Sequence, residues 1–280
     1  MDTDRIPTRM AESSIVLRDV TGHEGFRAVE ATQVEVWGLP ELDVVPLTQL
    51  AAGRASGGVV IGAYDGEELV GFVYGFCGFE DGRPTHHSHM LAVRPRYRGS
   101  ELGYRLKLAQ RDKVLAQGIE RMTWTFDPLQ SLNAFLNFTK LGVTSDRYLV
   151  NFYGEDAPSF LHRNGTDRLW VTWDLRSRHV QQRPNESGLD RDLSRVPAFL
   201  EVGDEDRPSH AAGKDETLPE SAVIEIPADA NDIEAGASWR DATRRAFIEA
   251  FESGYAVTGF YRGLRGERQV GRYLLTLGME

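Results

Sequence analysis

The stretch HMLAVRPRYRGSELG, from His89 to Gly103, decides the fold of this chain. It predicts a β-strand, then an arginine-rich loop, then an α-helix that begins at or just after Gly99. Such a corner directs backbone N–H groups and the positive end of a helix dipole at one point. From Arg94 to Lys113 there are seven Lys/Arg and two Asp/Glu, a local charge of +5 in a chain of net charge −10. The corner therefore predicts a polyphosphate site, with a solvated basic helix face as the alternative.

The composition indicates one large domain, or a domain with an extension, built on a hydrophobic core. Of 280 residues, 41% are hydrophobic and 10% aromatic, which argues against global disorder. The net charge of −10 argues against binding to nucleic acid or to an anionic membrane. The single cysteine, Cys77, excludes an internal disulfide. With a polar N-terminus and no apolar run long enough for a membrane helix, we expect a cytoplasmic protein.

Residue spacing predicts the order β-α-α-β-β-β-α-β-α-β-β over residues 14–175. The predicted strands are Ser14–Val20, Val59–Tyr64, Leu69–Phe76, Thr85–Val93, Arg121–Phe126, Tyr148–Tyr153 and Arg168–Leu175. The predicted helices are Gly25–Trp37, Pro46–Ala52, Ser100–Gln117 and Ser131–Leu141. The pair Asp65-Gly66 marks a hairpin turn between the second and third strands.

The composition changes after this first domain, residues 1–175. Residues 176–221 are rich in charge, Ser, Pro and Gly and predict a connector with little regular structure. Residues 222–280 predict a small β-α-β-β unit, which at about sixty residues is marginal by itself. We expect this extension to dock on the first domain or on a partner subunit, so a homodimer is one expected assembly.

The order of elements and the arginine-glycine loop resemble the GNAT superfamily of acyl-CoA N-acyltransferases, whose pyrophosphate loop reads Arg/Gln-x-x-Gly-x-Gly/Ala. Residues 98–103, RGSELG, match its first and last places, but Glu101 stands where glycine is usual. Asn133 followed by Leu-Gly-Val at 141–143 resembles a second family block. SHMLAV, WTFDPLQSLNAFLN, WRDATRRAF and GYAVTGF resemble a longer group of predicted acyltransferases, which includes N-succinyltransferases of amino acids.

The resemblance implies an α/β (α+β) GNAT fold, with a mixed, mostly antiparallel sheet flanked by helices and a small C-terminal β-α-β-β extension. It implies acetyl-CoA or another acyl-CoA as cosubstrate and a small-molecule amine as acceptor, amino acids among the candidates. Pantetheine would pair with strand backbone, and loop N–H groups would hold the pyrophosphate. The Glu101 carboxylate would repel the pyrophosphate and weaken CoA binding unless its side chain turns outward to Arg105. The implied cofactor-binding residues are Leu91, Ala92, Val93, Arg98, Gly99, Ser100, Glu101, Leu102, Gly103 and Asn133.

Direct acyl transfer needs a base for the amine, donors for the thioester oxyanion and an acid for the leaving thiolate. His87 and His89 share a strand face and are candidate bases, with hydrogen-bonded core histidines as the alternative. The family's usual acid is a tyrosine four residues before the helix-ending glycine, where this chain has Phe138. Tyr148 and Tyr153 are candidate replacements, with ordinary packing of both tyrosines and unassisted departure of the thiolate to solvent as the alternatives.

Three further residues carry predictions that remain open at this point. Asp127 is a candidate catalytic residue or a turn residue before Pro128. Arg240 and Arg244, four apart on a helix, are candidate ligands of a substrate carboxylate, with a solvated helix face as the alternative. We expect no metal site, because no Cys or carboxylate cluster adjoins the histidines. A non-catalytic CoA-binding or interaction module is the rival function, and Glu101 and Phe138 are its support.

Overall fold

The structure, a computed structural model, describes residues 15–154, 165–186, 193, 195–210, 218–230 and 236–278, with 183–186 described by their backbone alone. The first half of the chain has the predicted order of elements. The strands are β1 (Val16–Asp19), β2 (Val59–Asp65), β3 (Glu68–Glu80), β4 (Arg83–Val93), β5 (Arg121–Phe126), β6 (Thr144–Leu149) and β7 (Arg168–Asp174). The helices are α1 (Gly22–Trp37), α2 (Leu47–Ala55), α3 (Leu102–Ala116) and α4 (Ser131–Ala134), which continues as the π-helical segment Phe135–Leu141.

The second half also contains the predicted β-α-β-β order. Its elements are α5 (Arg178–Glu186), β8 (Ala198–Val202), β9 (Pro208–His210), β10 (Ser221–Pro227), α6 (Gly236–Glu252), β11 (Tyr255–Arg265) and β12 (Arg268–Leu277). The prediction of little regular structure between the halves was wrong for its described part, because β8 pairs with β10 and β9 pairs with β8. Strands of five and three residues are too short to produce a clear period-two pattern.

The twelve strands of the described residues join one sheet in the order β1-β2-β3-β4-β5-β7-β6-β11-β12-β10-β8-β9. Its pairs are antiparallel except for β4 with β5 and β8 with β10. The two halves meet where Val257 of β11 pairs with Ser145 of β6. The mixed, mostly antiparallel sheet flanked by helices is the predicted fold class.

Helices cover the sheet on both faces. On α1, Phe26, Val29 and Val36 recur at helical spacing and pack with α2 over β2 and β3. On the other face, Leu102 and Leu106 of α3 belong to one apolar cluster that runs through α4 into α6 and β12. Burying each such side chain contributes about 1.5–3 kcal/mol. The same core therefore supports the first half and the C-terminal extension.

The fourth and fifth strands separate soon after they meet. They pair in parallel at His86–Met122 and His87–Thr123, and then diverge. On its other edge β4 has a bulge, which places one extra residue opposite Gly75 of β3. A Cβ at Gly75 would lie 2.4 Å from the Nε2 atom of His86, so only glycine fits there. The bulge and the divergence together open the sheet beyond His87.

Most predicted elements differ from the structure by a few residues at their ends, and two of these differences bear on the site. β6 ends at Leu149, so Tyr153 lies in the turn that follows and not on the strand. The predicted helix Ser131–Leu141 forms, but its second part is π-helical and ends at Gly142, which has φ 72°. Local sequence patterns mark the presence of these elements better than their ends.

Candidate active site

A cleft with a volume of about 260 Å³ opens where β4 and β5 diverge. One wall comes from β4 and α3, and the other from β5, α4 and the start of β7. Its lining includes Ser88, His89, Leu91, Lys107, Trp124, Thr125, Asp127, Asn133, Asn137, Tyr153 and Arg168. Polar and aromatic groups therefore face each other across a gap in the sheet, an arrangement that suits an elongated ligand.

The predicted polyphosphate loop lies at the N-terminus of α3. Its geometry is held by local hydrogen bonds: Ser100 Oγ donates to the Tyr97 carbonyl at 2.6 Å, and Arg98 Nε donates to the Val93 carbonyl at 3.3 Å. The first backbone N–H groups of a helix have no acceptor within the helix. Inside α3, a Cβ at Gly103 would lie 3.7 Å from Leu91, an ordinary contact. The loop is thus a preformed set of N–H donors, and Gly103 places it next to Leu91 of the cleft lining.

The sequence suggested Arg105 as the partner of Glu101, but the structure does not bring these two side chains together. Glu101 has left-handed backbone geometry, φ 59°, and forms an ion pair with Lys140 of the π-helical segment. This hydrogen bond lowers the pKa of the Glu101 carboxyl group. Arg105 instead donates to the Ile15 carbonyl at 2.8 Å. The prediction was wrong because it considered only residues of the same helix, whereas the partner comes from a neighbouring one.

Much of the positive charge near the loop is already paired. Arg94 and Arg96 both bind Glu68, and Lys113 binds Asp19 at 2.7 Å. In the described part of the chain, Arg98 forms no ion pair. Among the described residues its guanidinium is therefore an unpaired cation next to the N-terminus of α3, as is that of Arg105, which donates to a backbone carbonyl.

The two candidate bases occupy different positions. His89 lines the cleft, and its ring lies 5.8 Å from that of Phe76. His87 lies beside the cleft, with Nδ1 3.2 Å from the Thr123 hydroxyl and its ring 5.1 Å from that of Trp170. Burial, His89 and Lys107 lower the pKa of His87 to about 4, and burial lowers the pKa of His89. Both rings are neutral at pH 7 and can accept a proton.

Sequence reasoning missed a buried polar chain behind β4. Lys107 Nζ donates to the Ser88 hydroxyl, which donates to Gln110 Oε1, both at 2.7 Å. Gln110 Nε2 lies 3.2 Å from Nε2 of His86. The ammonium group of Lys107 also lies 3.5 Å from the ring centre of Trp124, and burial lowers its pKa well below its usual value. The available signal was a lysine and a glutamine at helical spacing on the apolar side of α3.

The two candidate tyrosines are separated by the end of β6. Tyr153 lines the cleft, with its hydroxyl 3.2 Å from that of Thr125. Tyr148 donates to Asp167 Oδ2 at 2.8 Å, and burial raises its pKa. Phe138, at the family's usual acid position, is fully buried between aromatic rings of the core. Tyr153 is therefore the tyrosine of this group that can reach a ligand in the cleft.

The residues predicted to bind a substrate carboxylate form internal ion pairs. Arg240 makes a bidentate pair with Asp127 at 2.9 and 2.7 Å, and Arg244 makes one with Asp167 at 2.8 and 3.0 Å. Asp127 also accepts a hydrogen bond from the backbone N–H of Leu129, as a turn residue would. The two pairs fasten α6 to the base of the cleft. Binding of a substrate carboxylate by Arg240 or Arg244 stays a prediction.

Residues 25–142 match the model of the Acetyltransferase (GNAT) family. Residues 25–142 form a GNAT acetyltransferase domain. In this GNAT domain lie β2 to β5, α3 and its N-terminal loop, the cleft-lining histidine and the α4 block with Asn133. The comparison with curated proteins gives no match.

Solved structures of similar shape include a putative GNAT acetyltransferase from Desulfovibrio desulfuricans (TM-score 0.47, 15% identity, 58% of this chain and 99% of that one). Another is a GNAT family acetyltransferase from Elizabethkingia anophelis with acetyl-CoA bound (0.46, 16%, 59% and 100%). A third is aminoglycoside 6′-acetyltransferase type Ii (0.46, 17%, 58% and 99%).

The described residues contain no group of three or more His, Cys, Asp or Glu side chains arranged to hold a metal ion. None of the helices described is both long and apolar enough to cross a bilayer.

Proposed function

We propose that this protein transfers an acyl group, acetyl or succinyl, from acyl-CoA to a small primary amine, with amino acids among the candidate acceptors. The observation that carries the proposal is the divergence of β4 from β5 beyond His87 and Thr123. It creates a cleft whose lining lies in the matched GNAT region except for Tyr153 and Arg168. Gly103, in the first turn of α3, lies next to Leu91 and Leu136 of that lining.

The proposed position of CoA follows from the free edge of β4. Beyond His87, β5 no longer covers that edge, so the backbone from Leu91 to Val93 can pair with the pantetheine amides as a strand would. The pyrophosphate would accept hydrogen bonds from the N–H groups of residues 98–103, next to the cation of Arg98. Asn133, on the facing wall, is within the same cleft.

In the proposed reaction the amine nitrogen attacks the thioester carbon, and a C–N bond forms while the carbonyl oxygen becomes negative. A backbone N–H at Val93 or a neighbour would stabilise this oxyanion. His89 would take the proton of the attacking amine, directly or through one water. Collapse of the intermediate then breaks the C–S bond, and the Tyr153 hydroxyl would protonate the leaving thiolate.

The test is a thiol-release assay with acetyl-CoA and succinyl-CoA against a panel of primary amines. We expect release of free thiol with at least one pair, and weaker CoA binding in Arg98→Glu. The matched control is Arg111→Glu, which makes the same charge change farther along α3, where Arg111 pairs with Asp112. Tight CoA binding without thiol release on any amine would favour a non-catalytic CoA module, and no CoA binding would overturn both functions.

A further inference from the structure

We propose that Arg168 binds a carboxylate group of the substrate inside the cleft, so that the transferred acyl group or the acceptor amine carries a carboxylate. This inference rests on the proposed acyltransfer and names the substrate class that the same cleft would take. Arg168 is the first residue of β7, and its side chain lines the cleft although only 6% of the residue is exposed.

The contacts of Arg168 leave most of its guanidinium unused. Nη1 donates to the Asp167 backbone carbonyl at 2.8 Å, and the guanidinium carbon lies 5.2 Å from the ring centre of Tyr153. No carboxylate of the described residues forms an ion pair with it. A guanidinium has five N–H donors and stays charged in proteins. Among the described residues, Asp127 and Asp167 act on this cation only from a distance, so no counter-ion is in contact with it.

The two neighbouring arginines differ from Arg168 because each of them is paired with a carboxylate. Arg240 and Arg244 each have a bidentate carboxylate partner, Asp127 and Asp167 respectively. Among the described residues, the carboxylates of Asp127 and Asp167 thus each contact one of these two guanidinium groups, and neither forms an ion pair with Arg168. The group left over is Arg168, and of the three arginines it is the one that lines the cleft.

A buried charge without a partner costs several kcal/mol, and a cost of this size is offset when a ligand supplies the counter-ion. The planar donor pair of arginine matches a carboxylate, and such bidentate contacts are stronger than neutral hydrogen bonds. Asp127 lies close by but is held by Arg240, so the wall as a whole favours an anion. A neutral substrate of the same shape would leave the Arg168 charge uncompensated.

Two substrates could supply the carboxylate: a dicarboxylic acyl group on CoA, or an amino-acid acceptor. The test compares kcat/KM for succinyl-CoA against butyryl-CoA, which has the same acyl length, and for each amino acid against its C-terminal amide. We expect the wild type to prefer one carboxylate-bearing substrate over its neutral match by about tenfold to hundredfold. The pair that shows the preference identifies the source.

Arg168→Gln should remove that preference while changing kcat/KM for the neutral substrate much less. The matched control, Arg147→Gln, removes an exposed guanidinium that lies over Trp170 of the same strand, and should keep the preference. Equal wild-type rates with the charged and neutral members of both pairs would overturn the inference, even if Arg168→Gln does not fold. If no substrate pair releases thiol, the proposed function fails. Equilibrium binding of the two acyl-CoAs, and of the amino acids and their amides, then tests the role of Arg168 separately.

Discussion

Glu101 and Lys140 form an ion pair that connects the N-terminus of α3 to the π-helical segment after α4. The pair turns the one acidic side chain of the predicted pyrophosphate loop toward a cation on the facing helix. Glu101 stands where the resembling family has glycine, and its φ of 59° is a conformation that glycine adopts easily. The loop thus retains the backbone geometry of a glycine while the carboxylate charge is balanced from outside the loop.

We therefore expect Glu101→Gly to change CoA affinity by less than about threefold. This is a smaller change than the loss of one hydrogen bond to a charged group, which costs about 1.5–3 kcal/mol. Lys140→Met should weaken CoA binding more, because it frees the Glu101 carboxylate to repel the pyrophosphate. In the double variant the affinity should return toward that of the wild type. Calorimetric titration with CoA measures all three, and a large gain in affinity for Glu101→Gly alone would contradict the balanced-charge interpretation.

His89→Ala should lower kcat with little change in the KM for acyl-CoA, since the proposed base acts on the amine. Because burial lowers the pKa of His89, the wild-type rate should fall only as the pH drops below 6.5, where the base becomes protonated. The variant should lose this acidic limb. His87→Gln is the matched control, because His87 lies beside the cleft. Loss of the limb in the control and not in His89→Ala would assign the base to His87.

We expect His86 to make the free energy of unfolding depend on pH in the acidic range. Burial, Lys107 and His87 lower its pKa from 6.5 to about 4. The unfolded chain therefore binds more protons than the folded one between those values, and the free energy of unfolding rises with pH across this window. The full effect is about 3 kcal/mol. Urea unfolding of His86→Gln at pH 7.5 and 4.5 should show a smaller pH difference than the wild type, and an unchanged difference would contradict the assignment.

The Arg240–Asp127 pair should contribute strongly to stability. Both side chains are almost fully buried, at 5% and 11% exposure, and Arg240→Met leaves the carboxylate without its cation. Breaking such a pair costs about 3–5 kcal/mol, whereas the double replacement Asp127→Leu with Arg240→Met should recover part of the loss. Arg245→Met, on the exposed side of α6, is the control. Urea unfolding measures the free energy of unfolding of each variant. Equal losses of stability in Arg240→Met and Arg245→Met would refute the prediction.

Part of this molecule follows from local sequence alone. The hairpin at Asp65-Gly66, the helix that ends at Gly142 and the strand-loop-helix corner at Gly99 were all predicted, because turn chemistry and side-chain period act over a few residues. The order of elements and the RGSELG loop were enough to predict the GNAT fold.

The partner that each site residue contacts could not be predicted from the sequence, because it depends on the tertiary structure. Asp127 and Arg240 lie 113 residues apart in sequence, and Lys140 is 39 residues from Glu101. Tyr148 and Tyr153 were predicted on one strand, but the end of β6 sends one into an ion-pair network and the other into the cleft. Arg168 carried no signal, since its charge becomes unusual only when Asp127 and Asp167 are taken by other arginines.

The sequence by itself predicted most of the elements, because backbone preferences and apolar periodicity are local properties, and its resemblance to the GNAT superfamily implied the sheet. Only the tertiary structure decided which charges cancel and which remain free in the cleft, because ion pairing depends on distances between residues far apart in the chain.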